Sequence, residues 1–133
     1  MILVESSVWI ELLSPKRSAH QQHLTELIRM PNTVGIPGPV IQEVLQGIED
    51  GPLFHQVQER LEKFPIVQAT TATYVHAAKL YRILAAKGTA VPSYDVMIAA
   101  IVIEAGQELY TLDHHFHRIA AHSPLRLYQP IFR

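Results

Sequence analysis

The chain has no cysteine. No disulfide can staple it and no thiolate can hold a soft metal. Long apolar runs are missing too. The longest, Val96 to Ile103, is far too short to span a bilayer. The opening residues Met1-Ile2-Leu3-Val4-Glu5 lack the basic region and long apolar core of a secretory leader. These absences set the expectation of a cytoplasmic protein without membrane contact. A Gly-rich loop of the P-loop or dinucleotide type is absent as well. Net charge is close to nil, at −1. Nucleic-acid binders usually carry a basic excess. Such a role here requires acids gathered at one place. The cations Lys16, Arg17, Arg29, Lys79, Arg82, Lys87, Arg118, Arg126 and Arg133 are then free elsewhere.

What is present is a chain of 133 residues that is 48% hydrophobic, enough to bury a core without staples. No repeat, low-complexity tract or linker divides it, so a single domain over 1–133 is expected. Ile2–Val4 reads as a buried strand, followed by a short helix that Ser6 or Ser7 can cap. Residues 18–30 read as a second helix and 33–36 as a strand. Pro37-Gly38-Pro39 opens a third helix, and 53–64 forms a fourth. A short strand over 66–69 precedes a long helix from Thr71 to Lys87. Ser93 can cap a helix running to Ala105, closed by Gly106. That helix is apolar almost all round and belongs in the centre. Strands over 109–112 and 125–128 flank a short helix at 113–121. Short apolar strands alternating with helices predict an α/β fold with a parallel sheet.

Acids recur at comparable positions. Glu5 ends the first strand, Glu43 follows the second, Asp95 opens the apolar helix and Asp113 follows a later strand. Ligands bind at the carboxyl ends of strands in open parallel sheets, so acids distant in sequence can converge there. Converging carboxylates repel one another unless a hard, oxygen-seeking cation neutralises them. Each acid also has a plainer role. Asp95 complements a helix N-terminus, Asp113 caps a turn, and Glu43 lies off the apolar stripe and faces solvent. Glu5 has the least plain one, because a charge closing a buried strand needs a partner or solvent.

The segments around these acids resemble a known family. Ile2-Leu3-Val4-Glu5-Ser6-Ser7-Val8-Trp9-Ile10 is similar to the opening of VapC-type PIN domains. Val40-Ile41-Gln42-Glu43-Val44, Tyr94-Asp95-Val96-Met97-Ile98-Ala99-Ala100 and Thr111-Leu112-Asp113-His114-His115-Phe116 resemble the family's second, third and fourth acidic segments, in the same order. The resemblance spans essentially the whole chain. It implies a three-layer α/β/α fold and a carboxylate-held Mg²⁺ or Mn²⁺ that hydrolyses RNA. It assigns Glu5, Glu43, Asp95 and Asp113 to the metal and catalytic site, with Ser6, Ser7 and Thr111 in support. It further implies an endoribonuclease toxin, a cognate antitoxin as partner, and a homodimer. The family's first acid is normally Asp. Glu5 places its carboxylate one methylene further out, which predicts impaired metal geometry and reduced activity. A PIN-like module that binds RNA or a partner without efficient cleavage is the alternative. Receiver and dehalogenase-like phosphatase readings need an Asp nucleophile where this chain has Glu5-Ser6-Ser7. His114, His115, His117 and His122 are expected to face water beside an apolar side of Phe116, Ile119 and Ala120. Trp9 is expected in the core or an interface.

Overall fold

The computed structural model describes residues 1–132; Arg133, one of the free cations above, lies outside them. The elements run β1 (Ile2–Val4), α1 (Ser6–Leu13), α2 (Ala19–Arg29), β2 (Val34–Pro37), α3 (Gly38–Gln46), α4 (Pro52–Leu61), β3 (Ile66–Val67), α5 (Thr71–Ala86), α6 (Ser93–Ala105), β4 (Glu108–Tyr110), α7 (His114–Ala121) and β5 (Arg126–Leu127). The strands form one five-stranded sheet in the order β3-β2-β1-β4-β5. Every pairing is parallel. Helices cover both faces, giving the three-layer α/β/α fold.

Parallel strands buried on both faces need apolar residues at consecutive positions. Leu3 and Val4 supply them and are wholly buried, though they point to opposite faces. Helix α6 packs against α5, β2 and β4. Seven of its residues are buried, Asp95 among them. Gly106 ends it at φ 66°, a left-handed conformation in which glycine has no side chain to clash.

Several expected boundaries shift. Ser6 and Ser7 do not cap α1. Glu5 occupies the cap position without a side-chain cap bond, and both hydroxyls turn instead to its carboxylate. Ser93 does not cap α6 either, since the cap position belongs to Pro92. Strand β4 stops at Tyr110 because the next residues leave the ladder. The Leu112 N–H donates to Ser7 Oγ at 2.8 Å. Helix α4 ends at Leu61, short of the expected Phe64.

The chain order within the sheet decides where a site can form. β1 lies at the centre. β2 and β3 extend from one side of it, and β4 and β5 from the other. The connections after β1 and β4 therefore depart in opposite directions and leave a crevice at the carboxyl ends of these two neighbours.

Candidate functional site

Glu5 enters that crevice from the end of β1. Its N–H donates to the Tyr110 carbonyl at 2.9 Å, continuing the β1–β4 ladder by one bond. This bond places the residue opposite the end of β4. Glu5 is only 2% exposed. A buried carboxylate needs donors, and three hydroxyls provide them. Ser6 Oγ donates to Oε2 at 2.6 Å, while Ser7 Oγ and Thr111 Oγ1 donate to Oε1 at 2.5 and 2.6 Å. Ser7 Oγ and Thr111 Oγ1 also accept the backbone N–H groups of Leu112 and Asp113. The hydroxyls thus clasp the loop after β4 to the start of α1.

Glu43 reaches the same place from α3. Its Oε1 lies 3.3 Å from Ser6 Oγ. A hydroxyl has one proton to give, and the shorter contact to Glu5 takes it. The longer contact leaves Ser6 only a weak donor to Glu43, which lowers the Glu43 pKa less than its surroundings raise it. Burial, and then the negative charge of Glu5, push the Glu43 carboxyl up from 4.5 to about 7; Asp95 and Asp113 add to the rise. Glu43 therefore does not simply face solvent.

Asp95 stands in the first turn of α6 and is 8% exposed. Burial raises its carboxyl above the usual range, and the charges of Asp113 and Glu5 act in the same direction. His115 opposes them, with Nδ1 at 2.8 Å from Asp95 Oδ2. Asp113 caps α7, accepting the His115 N–H at 2.9 Å. Tyr94 Oη donates to the Pro39 carbonyl, tying the start of α6 to the start of α3. Burial and the charges of Glu43 and Asp95 raise the pKa of this phenol. The structure thus brings Glu5, Glu43, Asp95 and Asp113 to one crevice, with Ser6, Ser7 and Thr111 around Glu5.

The donor set suits a hard cation. It offers carboxylate oxygens from four chain segments, and among the described residues no Lys or Arg pairs with any of them. The ion pairs of these acids are both with His115. Ligand atoms of Asp95, Asp113 and His115 all lie within 4.8 Å of one another.

His115 corrects the sequence reading. His114, His117 and His122 are exposed as expected, but His115 turns inward. The helical period contains the signal. His115 is four residues before buried Ile119 and so shares its face, while His114 and His117 fall elsewhere. Trp9 is buried as expected, with its indole N–H on the Val4 carbonyl and its ring against Phe64.

Residues 2–122 match the family model described as PIN domain. The fold is also found among solved structures. The FitAcB crystal structure from Neisseria gonorrhoeae aligns with a TM-score of 0.79 at 20% identity, covering 97% of each chain. The DNA-bound VapBC structure from Salmonella typhimurium aligns with a TM-score of 0.76 at 20% identity, covering 96% of each chain. A sarcin–ricin-loop-cleaving toxin from Mycobacterium tuberculosis aligns with a TM-score of 0.70 at 16% identity, covering 95% of this chain and 99% of that one.

Proposed function

The chain belongs to the PIN domain family, and from that premise we propose that it is a divalent-metal-dependent endoribonuclease, the toxin of a toxin–antitoxin pair, working in the cytoplasm as one PIN domain over residues 1–133. One observation carries the reading. Four carboxylates meet at the crevice between β1 and β4 with no Lys or Arg partner among the described residues. Such a group would hold Mg²⁺ or Mn²⁺, with Asp95 and Asp113 already at ligand spacing and Glu5 and Glu43 completing the set of oxygens. When bound, the cation activates water and offsets charge on a phosphodiester. Ser6, Ser7 and Thr111 hold the Glu5 carboxylate in one orientation. The Tyr94–Pro39 bond keeps α6 in register with α3, and hence Asp95 with Glu43.

RNA as substrate is supported by the M. tuberculosis relative, whose target is the sarcin–ricin loop. The cations Lys16, Arg17, Lys79, Arg82, Lys87, Arg118 and Arg126 are exposed and available to phosphate. The test is cleavage of total RNA with Mg²⁺ or Mn²⁺, with and without EDTA, by the native chain and Asp95→Ala. Cleavage abolished by both treatments is expected. Cleavage that survives chelation or the substitution sinks the mechanism.

A second reading, binding without efficient cleavage, draws on Glu5. Its two oxygens already accept three hydroxyl protons, which lowers what they offer a cation. Metal binding without cleavage would favour it.

The antitoxin would dock in two places. An arginine of the partner fits the acid crevice, where it can pair bidentately with carboxylates. An apolar groove of about 520 Å³ runs between α1, α2 and α4, floored by Trp9, Leu12, Ile28, Leu53 and Phe64. Arg29, Arg60 and Lys63 rim it, with no ion-pair partner among the described residues. An amphipathic helix with an apolar stripe flanked by acids complements that surface. The neighbours' FitAB and VapBC complexes support such a partner. A homodimer is proposed as well. Exposed Tyr74, Val75, Tyr81 and Ile83 make α5 the face to test.

A further inference from the structure

We infer that His115 is a nitrogen ligand of the cation at the acid crevice and tilts that site toward Mn²⁺ over Mg²⁺. The inference rests on the metal-dependent reading above and adds a ligand of a different chemical kind to its four acids.

The geometry is local and specific. His115 Nδ1 lies 2.8 Å from Asp95 Oδ2 and 3.5 Å from Asp113 Oδ1. Neighbouring ligand atoms around a six-coordinate cation with bonds of about 2.1 Å are separated by about 3 Å. The imidazole nitrogen therefore stands at coordination spacing from Asp95 Oδ2 and a little beyond it from Asp113 Oδ1. The backbone holds it there, because the His115 N–H is bound by the Asp113 side chain at 2.9 Å in the first turn of α7. Phe116 and Ile119, wholly buried, lock that helix against the core. Without a cation Nδ1–H donates to Asp95 Oδ2; coordination through Nδ1 replaces that proton with the metal and leaves the ring proton on Nε2, which has no protein hydrogen-bond partner among the described residues. The ring is partly exposed, so that proton can reach water.

The chemical consequence follows from ligand preference. Mg²⁺ strongly prefers oxygen and gives up its waters reluctantly. Imidazole suits the later transition metals, and Mn²⁺ precedes them in the affinity series but accepts nitrogen more readily than Mg²⁺ does. Replacing one oxygen by the Nδ1 donor disfavours Mg²⁺ most.

The experiment uses Mn²⁺ itself as probe, on the full chain without added histidines. Pulsed electron paramagnetic resonance detects nitrogen bound to Mn²⁺ through its nuclear modulation, independently of cleavage. Calorimetry compares Mn²⁺ with Mg²⁺. Native protein should bind Mn²⁺ and show directly bound nitrogen. His115→Asp should still bind Mn²⁺, lose the nitrogen signal and lower the Mn²⁺-to-Mg²⁺ preference. His115→Asn keeps a polar atom near the Nδ1 position and guards against a misfolded Asp variant; it too should lose the signal. His117→Gln, at an exposed position, should keep it. Mn²⁺ binding without a nitrogen signal overturns the proposal and leaves the metal-dependent reading standing. Tighter binding of both cations by His115→Asn, with unchanged preference, also overturns it, since that is the behaviour of a mere counter-ion. Failure to bind either cation overturns both readings.

Discussion

Glu5 differs from aspartate by one methylene, and in a clasp of three hydroxyls that methylene matters. It carries the carboxylate about 1 Å further along, into short contacts with Ser6, Ser7 and Thr111. It also adds a rotor that metal binding must immobilise. Glu5→Asp should therefore bind Mg²⁺ more tightly and cleave faster, with a smaller gain in Mn²⁺, whose coordination is more forgiving. Displacements of this size change rates by up to about 100-fold. Calorimetry and single-turnover cleavage of one RNA decide the matter. Equal or weaker Mg²⁺ binding by Glu5→Asp would show that the clasp is fitted to glutamate. Asp95 gives the complementary case. It is buried and bonded to His115, so Asp95→Asn should keep the fold while metal affinity falls by an order of magnitude or more. Unchanged affinity would remove Asp95 from the site.

Helices position these side chains, and their ends are where stability can be changed without touching chemistry. Gly106 closes α6 at φ 66°, and a Cβ there meets nothing within 4 Å. Gly106→Ala should cost about 1–2 kcal/mol from backbone conformation alone, read as a shifted denaturant midpoint, with metal affinity unchanged. A neutral result would mean that the left-handed cap carries no strain for alanine. The N-terminus of α2 offers a second test. Ser18 accepts the Gln21 N–H at 3.1 Å, so Ser18→Ala should cost about 1 kcal/mol. Both caps are legible from Gly and Ser placement in the sequence. The start of α1 is not. Ser6 and Ser7 have the chemistry of a cap, but the buried Glu5 carboxylate needs donors and turns both hydroxyls toward itself, and Ser7 Oγ already accepts the Leu112 N–H, so neither oxygen is placed to accept an N–H of the first turn.

For the molecule as a whole, the acid crevice couples folding to pH and to cations. Burial and the neighbouring acids raise the Glu43 carboxyl from 4.5 to about 7. Between those values the folded chain holds a proton that the unfolded chain has released. Stability from this group is thus fully present below about 4.5 and is lost as pH rises through about 7. Glu43→Gln should flatten that part of the metal-free melting profile. A fixed Mg²⁺ concentration, a hundred times the dissociation constant at pH 7.5, should add about 2.7 kcal/mol there and less at pH 5, where protonated carboxyls weaken binding. Equal shifts at both would mean that Glu43 does not face the cation. The apolar groove couples the molecule to a partner. Leu53 is 58% exposed on its floor. Leu53→Asp should leave folding intact and weaken the antitoxin complex by roughly 1.5–3 kcal/mol, measured by titration with the protein encoded by the adjacent gene. An undiminished complex would place the partner elsewhere.

Hydrophobic period and chain punctuation determined the elements. Apolar runs of strand length, Pro and Gly at breaks, and one helix apolar all round specify an alternating α/β chain without reference to distant contacts. The order of acids along it, Glu5, Glu43, Asp95 and Asp113, was equally legible, because Glu5, Asp95 and Asp113 sit beside a strand end or helix start and Glu43 lies within the helix after the second strand, all of which local pattern reveals. Only the tertiary structure decided what those acids meet. Strand order β3-β2-β1-β4-β5 is a non-local property, and it alone puts the end of β1 beside the end of β4. From that neighbourhood follows the Thr111 bond to Glu5, more than a hundred residues away in sequence; the raised carboxyl of Glu43 follows from its burial and from Glu5 beside it. His115 shows the boundary most clearly. Its helical face was readable from Ile119, but its partner Asp95 lies on another helix, twenty residues earlier, and only packing brings them together. Local pattern fixes which way a side chain leaves its own element; long-range packing fixes what stands there to meet it.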